Sequence, residues 1–266
     1  MKLVHSFSTK RCNSNNLKVH VYYFTLSCIY VKNLGFEIVL HTDKKGAYLF
    51  KYAPYDKIII DLEDCVLPKE KIFAWAKFKA MESEDAGSIH IDGDVFLKGE
   101  IIKNLLTFDD CDIIVQQPEI IGYENWYGWD DSTISFAKCE YPSFLPRECT
   151  VMYNCGVVGF KDKSIRDEYT KYYNDLINQY NKKGVIIDSV PDLVAEQQLL
   201  YYYAKYKNLK VKSILDYKNL KQSANEIGYQ HLLGVSKYHN FDKCKETLKK
   251  MNLKIFNKLE GMKWDS

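Results

Sequence analysis

Hydrophobic positions along the chain alternate between short continuous runs and stretches spaced at helical intervals. Residues 3–7 form an apolar run with Ser8 and Thr9 at its end, and polar residues 11–16 follow as a loop. Residues 19–33 then carry apolar side chains on helical spacing up to Gly35, and residues 37–40 form a second run, followed by His41-Thr42-Asp43. Asp43 stands where an acid caps the next helix. The rhythm repeats with a strand over 57–62, a helix over 69–83, a strand over 88–97, a helix over 98–106 and a strand over 112–116. Residues 151–160 predict a strand interrupted at Asn154-Cys155-Gly156, and helices follow over 163–181 and 192–206, with a last strand over 210–215. From there a loop leads to a lysine-rich helix over 241–262. Strands alternating with helices predict an α/β fold with a mostly parallel sheet, whose ligands bind beyond the carboxyl ends of the strands. No repeat or linker divides the chain, so a single domain is expected.

The periodicity fails between 118 and 149, where Tyr123, Trp126, Tyr127 and Trp129 are followed by Pro142 and Pro146. So many aromatics argue against disorder, and the stretch suits either a satellite core or a wall facing substrate. Across 266 residues the formal net charge is only +2, which implies no broad field for nucleic acid or an anionic surface. Tyrosine is unusually common, with 21 residues. None of the eight cysteines forms a C-x-x-C pair, and Cys28, Cys65, Cys111 and Cys155 lie in apolar surroundings as reduced core residues. The longest apolar run, 19–31, is broken by His20, Thr25 and Ser27. Neither a secretion leader nor a membrane span is expected, and a reducing cytoplasm is the simplest compartment.

The strand over 88–97 contains the chemistry. Ile89, Ile91, Val95 and Phe96 surround Asp92-Gly93-Asp94, placing two acids at the end of a strand that belongs inside a sheet. Buried carboxylates share a proton, meet cations or hold a metal. Gly93 favours the last, because it leaves room for a ligand and lets both acids turn into one space. A hard cation such as Mg2+ or Mn2+ binds one or two such carboxylates together with substrate phosphates. A second cluster lies at 230–239, where His231, Gly234 and Lys237 combine a metal ligand, a close backbone approach and a cation for phosphate. His239 is a further ligand candidate, but its spacing to Gly234 and Lys237 fits less well than that of His231.

Together the Asp92-Gly93-Asp94 strand and the His231-x-x-Gly234-x-x-Lys237 loop resemble the GT-A glycosyltransferases, in particular the family-eight type related to glycogenin and bacterial galactosyltransferases. The resemblance runs from residue 3 to about 237. It implies a GT-A-type sheet divided into a nucleotide-binding half, 1–117, and a sugar and acceptor half, 118–240, with a C-terminal helix over 241–266. It implies Asp92, Asp94 and His231 as ligands of Mn2+ or Mg2+, with Gly93 between the acids, and Gly234 and Lys237 as contacts of a nucleotide-sugar diphosphate. Ala76-Lys77-Phe78 is similar to the family's basic element at the donor, which makes Lys77 a candidate. Asn154-Cys155-Gly156 is similar to its sugar-pocket turn, and Glu196-Gln197 to its Asp-Gln pair near the anomeric carbon. The nucleotide base is expected around Phe7, Ser8, Thr42 and Asp43. Tyr238-His239 replaces the family's Pro-Trp, and the aromatic stretch at Trp126 has no counterpart there.

The implied activity is metal-dependent transfer of a sugar from a nucleoside diphosphate sugar to an acceptor hydroxyl, with retention of configuration. Glu196, Gln197 and Asn154 would line the reacting sugar. The acceptor implied is a glycan or lipid-linked glycan, nucleic acid is not expected, and the lysine-rich helix offers peripheral membrane contact or only a solvated face. Two alternatives stand beside this. A nucleotidyltransferase also uses paired acids, but residues 8–16 lack the glycine-rich loop it would bring. A non-catalytic sugar-nucleotide or glycan-binding relative would keep the same donor residues.

Overall fold

The computed structural model describes residues 1–12, 14–63, 74–120, 139–146, 151–182, 194–234 and 236–264. The class is the expected one, α/β, with seven strands in a mixed, mostly parallel sheet. The aromatics Tyr123, Trp126, Tyr127 and Trp129, the residue Cys65 and the first turns of the helices expected from 69 and 192 lie outside the described residues. Two compact units divide the chain, Met1–Cys65 with His90–Leu105 and Lys221–Ser266 forming the first, and Val66–Ile89 with Leu106–Leu220 the second.

In the first unit β1 (Lys2–Phe7), β2 (Glu37–Thr42) and β3 (Lys57–Ile60) are parallel, in register Lys2 to Glu37 and Val39 to Lys57, and β4 (Ile89–Ile91) lies beside β1. The helix α1 (Ser14–Asn33) buries Leu17, Val21, Tyr22, Leu26 and Ile29 against Phe7, Leu40 and Phe50. Asp43 caps α2 (Lys44–Leu49) as expected, accepting from Gly46 N at 2.8 Å.

Residues 88–97 do not form one strand. After β4 the chain turns at Asp92-Gly93-Asp94, with Val95 N donating to Asp92 O at 3.0 Å, and leaves as β5 (Val95–Leu97). Because of that turn, β5 pairs antiparallel with β9 (Tyr229–His231) in a separate two-stranded ribbon, setting Val95 opposite His231. The helix expected over 98–106 is reduced to α4 (Ile102–Leu105), since backbone atoms of Lys98 and Gly99 pack on Gly228 and Ile227, and Lys98 N donates to Gly228 O at 2.7 Å.

The second unit holds β6 (Ile113–Ile120), antiparallel to β7 (Val151–Phe160) and parallel to β8 (Val211–Ser213). β7 is continuous through Asn154-Cys155-Gly156, but its pairing is interrupted there as expected: between Val115 opposite Val158 and Gln117 opposite Asn154, the three residues Cys155, Gly156 and Val157 stand against Gln116 alone, a bulge on β7. The helix α3 (Trp75–Ser83) precedes the sheet strands, while α5 (Lys163–Lys182), a π-helical turn at Val194–Gln198 and α6 (Leu199–Tyr206) pack on them. Much of the tyrosine excess is used here. Tyr169, Tyr173, Tyr180 and Tyr203 are fully buried, and hydroxyls that would be costly unpaired find acceptors, Tyr169 donating to Glu196 O at 2.5 Å and Tyr203 to Ile165 O at 3.2 Å.

The stretch expected as loop between 216 and 240 instead contains α7 (Leu220–Ile227), β9 and α8 (Ser236–His239). The single lysine-rich helix is two, α9 (Phe241–Met251) and α10 (Leu253–Glu260). Asn252 breaks it with an extended backbone and caps the second piece by accepting from Ile255 N at 3.0 Å. Its lysines face outward, but Cys244, Leu248 and Leu259 belong to the α1 core.

Candidate metal centre

In the first unit the β4–β5 turn and the end of β9 carry the acids and the histidine to one place. Asp92, Asp94 and His231 each offer a ligand atom, and these atoms all lie within 4.8 Å of one another. Leu232 N donates to Asp94 O at 3.2 Å, which extends the ribbon by one bond and holds the turn against the chain after β9. Asp94 is the buried member. One of its oxygens lies 2.6 Å from Lys237 Nζ and the other 3.4 Å from His231 Nε2. Burial would raise its pKa, but the adjacent Lys237 and His231 outweigh that and hold the carboxyl well below the usual carboxylate range. Conversely, burial would lower the Lys237 ammonium, and Asp94 more than offsets it, so Lys237 is raised. Asp92 has a side chain one-third exposed, with an oxygen 3.8 Å from His90 Nδ1.

Gly93 is required here for a different reason than the one expected. A Cβ at this position would meet the ring of Phe24, on α1, at 2.1 Å, so the space belongs to packing within the chain. Gly234 has room for a Cβ, but its φ of +54° is the left-handed conformation that side chains disfavour. It starts the turn that carries Lys237, whose carbonyl accepts from Tyr23 OH at 2.7 Å.

Behind the acids lie two histidines that pattern reasoning did not single out. His90 Nε2 lies 2.9 Å from Ser6 Oγ. His5 is buried between Tyr55 OH at 2.8 Å and Ser27 Oγ at 3.3 Å, and Ser27 in turn donates to Val95 O at 2.5 Å. Burial drives the His5 pKa down to about 3, with Asp94 opposing the shift, so the ring is neutral near pH 7.

A second group of candidates sits in the other unit. Lys77 Nζ donates to Glu196 Oε1 at 2.5 Å and to Cys155 O at 2.8 Å, and both charged side chains are almost wholly buried. Asn154 donates to Glu119 Oε1 at 2.7 Å and accepts from Gly156 N at 3.0 Å. Gln197 Oε1 and both amide atoms of Gln198 are buried without a hydrogen-bond partner among the described residues. They stand on the π-helical turn, a distortion that recurs at functional sites.

A family described as "Family of unknown function (DUF6734)" matches residues 1–260. The chain belongs to this DUF6734 family. No curated protein matches it. Among solved structures it is similar to the galactosyltransferase LgtC in complex with donor and acceptor sugar analogs, at 9% identity over 99% of this chain and 98% of that one, with a TM-score of 0.49. It is similar to the glycosyltransferase GlyE of Streptococcus pneumoniae TIGR4, at 11% identity over 99% of this chain and 60% of that one, TM-score 0.45. The 4-diphosphocytidyl-2C-methyl-D-erythritol synthase of Anaerococcus prevotii DSM 20548 matches at 12% identity over 93% and 95%, TM-score 0.44. At these identities and scores the likenesses decide nothing about activity, which must be argued from side chains.

In this DUF6734 chain, then, Asp92, Asp94, His231 and Lys237 come together in one unit, and Lys77, Cys155 and Glu196 in the other. His239, the alternative ligand, is outside the three-residue cluster. Around the expected base site, polar groups are engaged within the chain. Asp43 accepts from Thr9 N at 2.6 Å as well as from Gly46 N, and Thr42 donates to Phe7 O at 2.6 Å. His90 had a signal in the sequence, since it stands two residues before Asp92 and side chains two apart share a strand face. Phe24 and Glu119 had none, because only the folded chain brings them to Gly93 and Asn154. Among the described residues no helix is long and apolar enough to cross a membrane.

Proposed function

We propose that this chain is a metal-dependent glycosyltransferase that moves a sugar from a nucleoside diphosphate sugar to an acceptor hydroxyl with retention of configuration. The observation that carries the proposal is the convergence of Asp92, Asp94 and His231 within 4.8 Å, with Lys237 against Asp94. Two carboxylates and an imidazole fit a divalent cation, and the nitrogen ligand suits Mn2+ better than Mg2+, which prefers oxygen. A divalent ion held by these three residues supplies a Lewis acid for the departing diphosphate.

The chain's own groups account for the rest. Rupture of the bond to the anomeric carbon leaves negative charge on the diphosphate, and groups that meet this charge more strongly in the transition state lower the barrier. Lys237 is a fixed cation on a turn shaped by Gly234. From the family resemblance, Lys77, Asn154, Cys155, Gly156, Glu196 and Gln197 serve the donor sugar. Lys77 holds Glu196 oriented, and the Gln197 oxygen, which has no hydrogen-bond partner among the described residues, is an acceptor for a sugar hydroxyl. Gln197 is too weak a nucleophile for a covalent intermediate. A front-face route follows, in which the leaving phosphate takes the acceptor proton. Thr42 and Asp43 shape the base end, and the acceptor is a glycan, free or lipid-linked.

Calorimetric titration with a panel of nucleoside diphosphate sugars, in Mn2+ and then in EDTA, tests this. One donor should bind only with metal and lose binding in Asp94→Ala and His231→Ala. Binding that survives EDTA and both substitutions would overturn the proposal.

A further inference from the structure

The cation beside Asp94 is itself informative. In the proposed function Asp94 is a metal ligand, yet one of its oxygens is engaged by Lys237 Nζ at 2.6 Å. An ammonium and a divalent ion placed on one carboxylate draw on the same negative charge and repel each other. The lysine also has somewhere else to go. Its side chain is 23% exposed, while its backbone is held by Tyr23 OH on the carbonyl, so the side chain can change partner without the loop unfolding.

We infer that Lys237 competes with the divalent cation for Asp94 and holds down the affinity of the site for metal alone. This rests on the metal-diphosphate function proposed above. Its consequence is that one lysine opposes metal by itself and favours metal together with diphosphate. The donor's phosphates give the ammonium a second anion and relieve the competition, so metal and donor load as a pair. His231 does not share this conduct, because its imidazole offers the same ion a nitrogen ligand.

The test is Mn2+ binding by calorimetry without any nucleotide, on the unmodified chain, Lys237→Met, Lys237→Gln and Asp94→Asn, each checked for folding by circular dichroism. Removal of the ammonium should tighten Mn2+ at least tenfold, about 1.4 kcal/mol, the reverse of what loss of an ordinary site residue does. Mn2+ binding no tighter in the two lysine variants, yet abolished by Asp94→Asn, would overturn the competition and leave the metal site standing. No Mn2+ binding by any of the chains would overturn both. A measurement on the unmodified chain guards against variants that fail to fold. Diamagnetic Mg2+ should shift the Lys237 side-chain resonances as the ammonium leaves Asp94, and resonances unmoved at saturating Mg2+ would refute the inference.

Discussion

His5 should make the fold acid-sensitive well above the range where carboxylates titrate. Its ring is fully buried on β1, with both nitrogens committed to Tyr55 and Ser27, and burial drives its pKa down to about 3. In the unfolded chain a histidine titrates near 6.5. Between those values only the unfolded state takes up the proton, so folding stability is unaffected above pH 6.5 and falls as the pH drops below it, levelling off below about 3. One proton corresponds to about 1.4 kcal/mol per pH unit well below 6.5 and half that at 6.5 itself, so lowering the pH from 6.5 to 4.5 should remove about 2.3 kcal/mol through this residue. Asp94 does not blur the window, because its lowered pKa places its own losses below about pH 4. Urea unfolding at pH 6.5, 5.5 and 4.5, on the unmodified chain and on His5→Gln, isolates the term. The unmodified chain should lose about 2–3 kcal/mol more than the variant across the window. Parallel curves would show that His5 accepts a proton in place, and the account of a neutral, doubly committed ring would be wrong.

Gly93→Ala should destabilise the fold by about 1–3 kcal/mol through the clash with Phe24, and Phe24→Leu should relieve much of that cost in the double variant; thermal melts showing strictly additive effects would refute the packing argument. Asp94→Asn should cost about 1.5–3 kcal/mol at pH 7 by removing the charged hydrogen-bond partner of the partly exposed Lys237. Because the Asp94 carboxyl is lowered in the fold, its contribution is complete above about pH 4 and lost as the pH falls further, so the gap between Asp94→Asn and the unmodified chain should narrow there in urea titrations. Gln198→Leu should raise the melting temperature by a few degrees, since both amide atoms are buried with no partner among the described residues, at a cost of about 1–3 kcal/mol. A lower melting temperature would mean that the amide has a partner.

The alternation of strand and helix in the first sixty residues was legible because each element announces itself locally. Leu3 and Val4, then the apolar side of α1, then Ile38 to Leu40, need no distant partner to show their period. The candidate metal cluster was legible as residue types at spacings, but its assembly was not. β5 and β9 are three residues each, too short for any period, and they exist because each pairs with the other. For the same reason β7 could not be read as continuous. Asn154-Cys155-Gly156 carries turn residues, and the register with β6 does slip there, yet the strand continues because β6 pairs with it on both sides of the bulge. Asn252, by contrast, was readable, as an N-cap residue inside an apparent helix.

What the folded chain adds most is asymmetry between two acids that the motif presents as equals. Asp94 is buried, flanked by Lys237 and His231, and joined through its carbonyl to the backbone after β9. Its position is therefore set before any ligand arrives, and its charge is already met. Asp92 has a side chain one-third exposed, with an oxygen 3.8 Å from His90 Nδ1, so solvent reaches it where Asp94 is enclosed. The arrangement divides the work of the pair. In the proposed function, one carboxylate is positioned by the protein before a metal arrives, and the other is the one open to solvent. For the metal-bound diphosphate of the proposed function, order in the buried acid and access at the more exposed one are compatible demands, and both follow from which side of Gly93 each acid occupies.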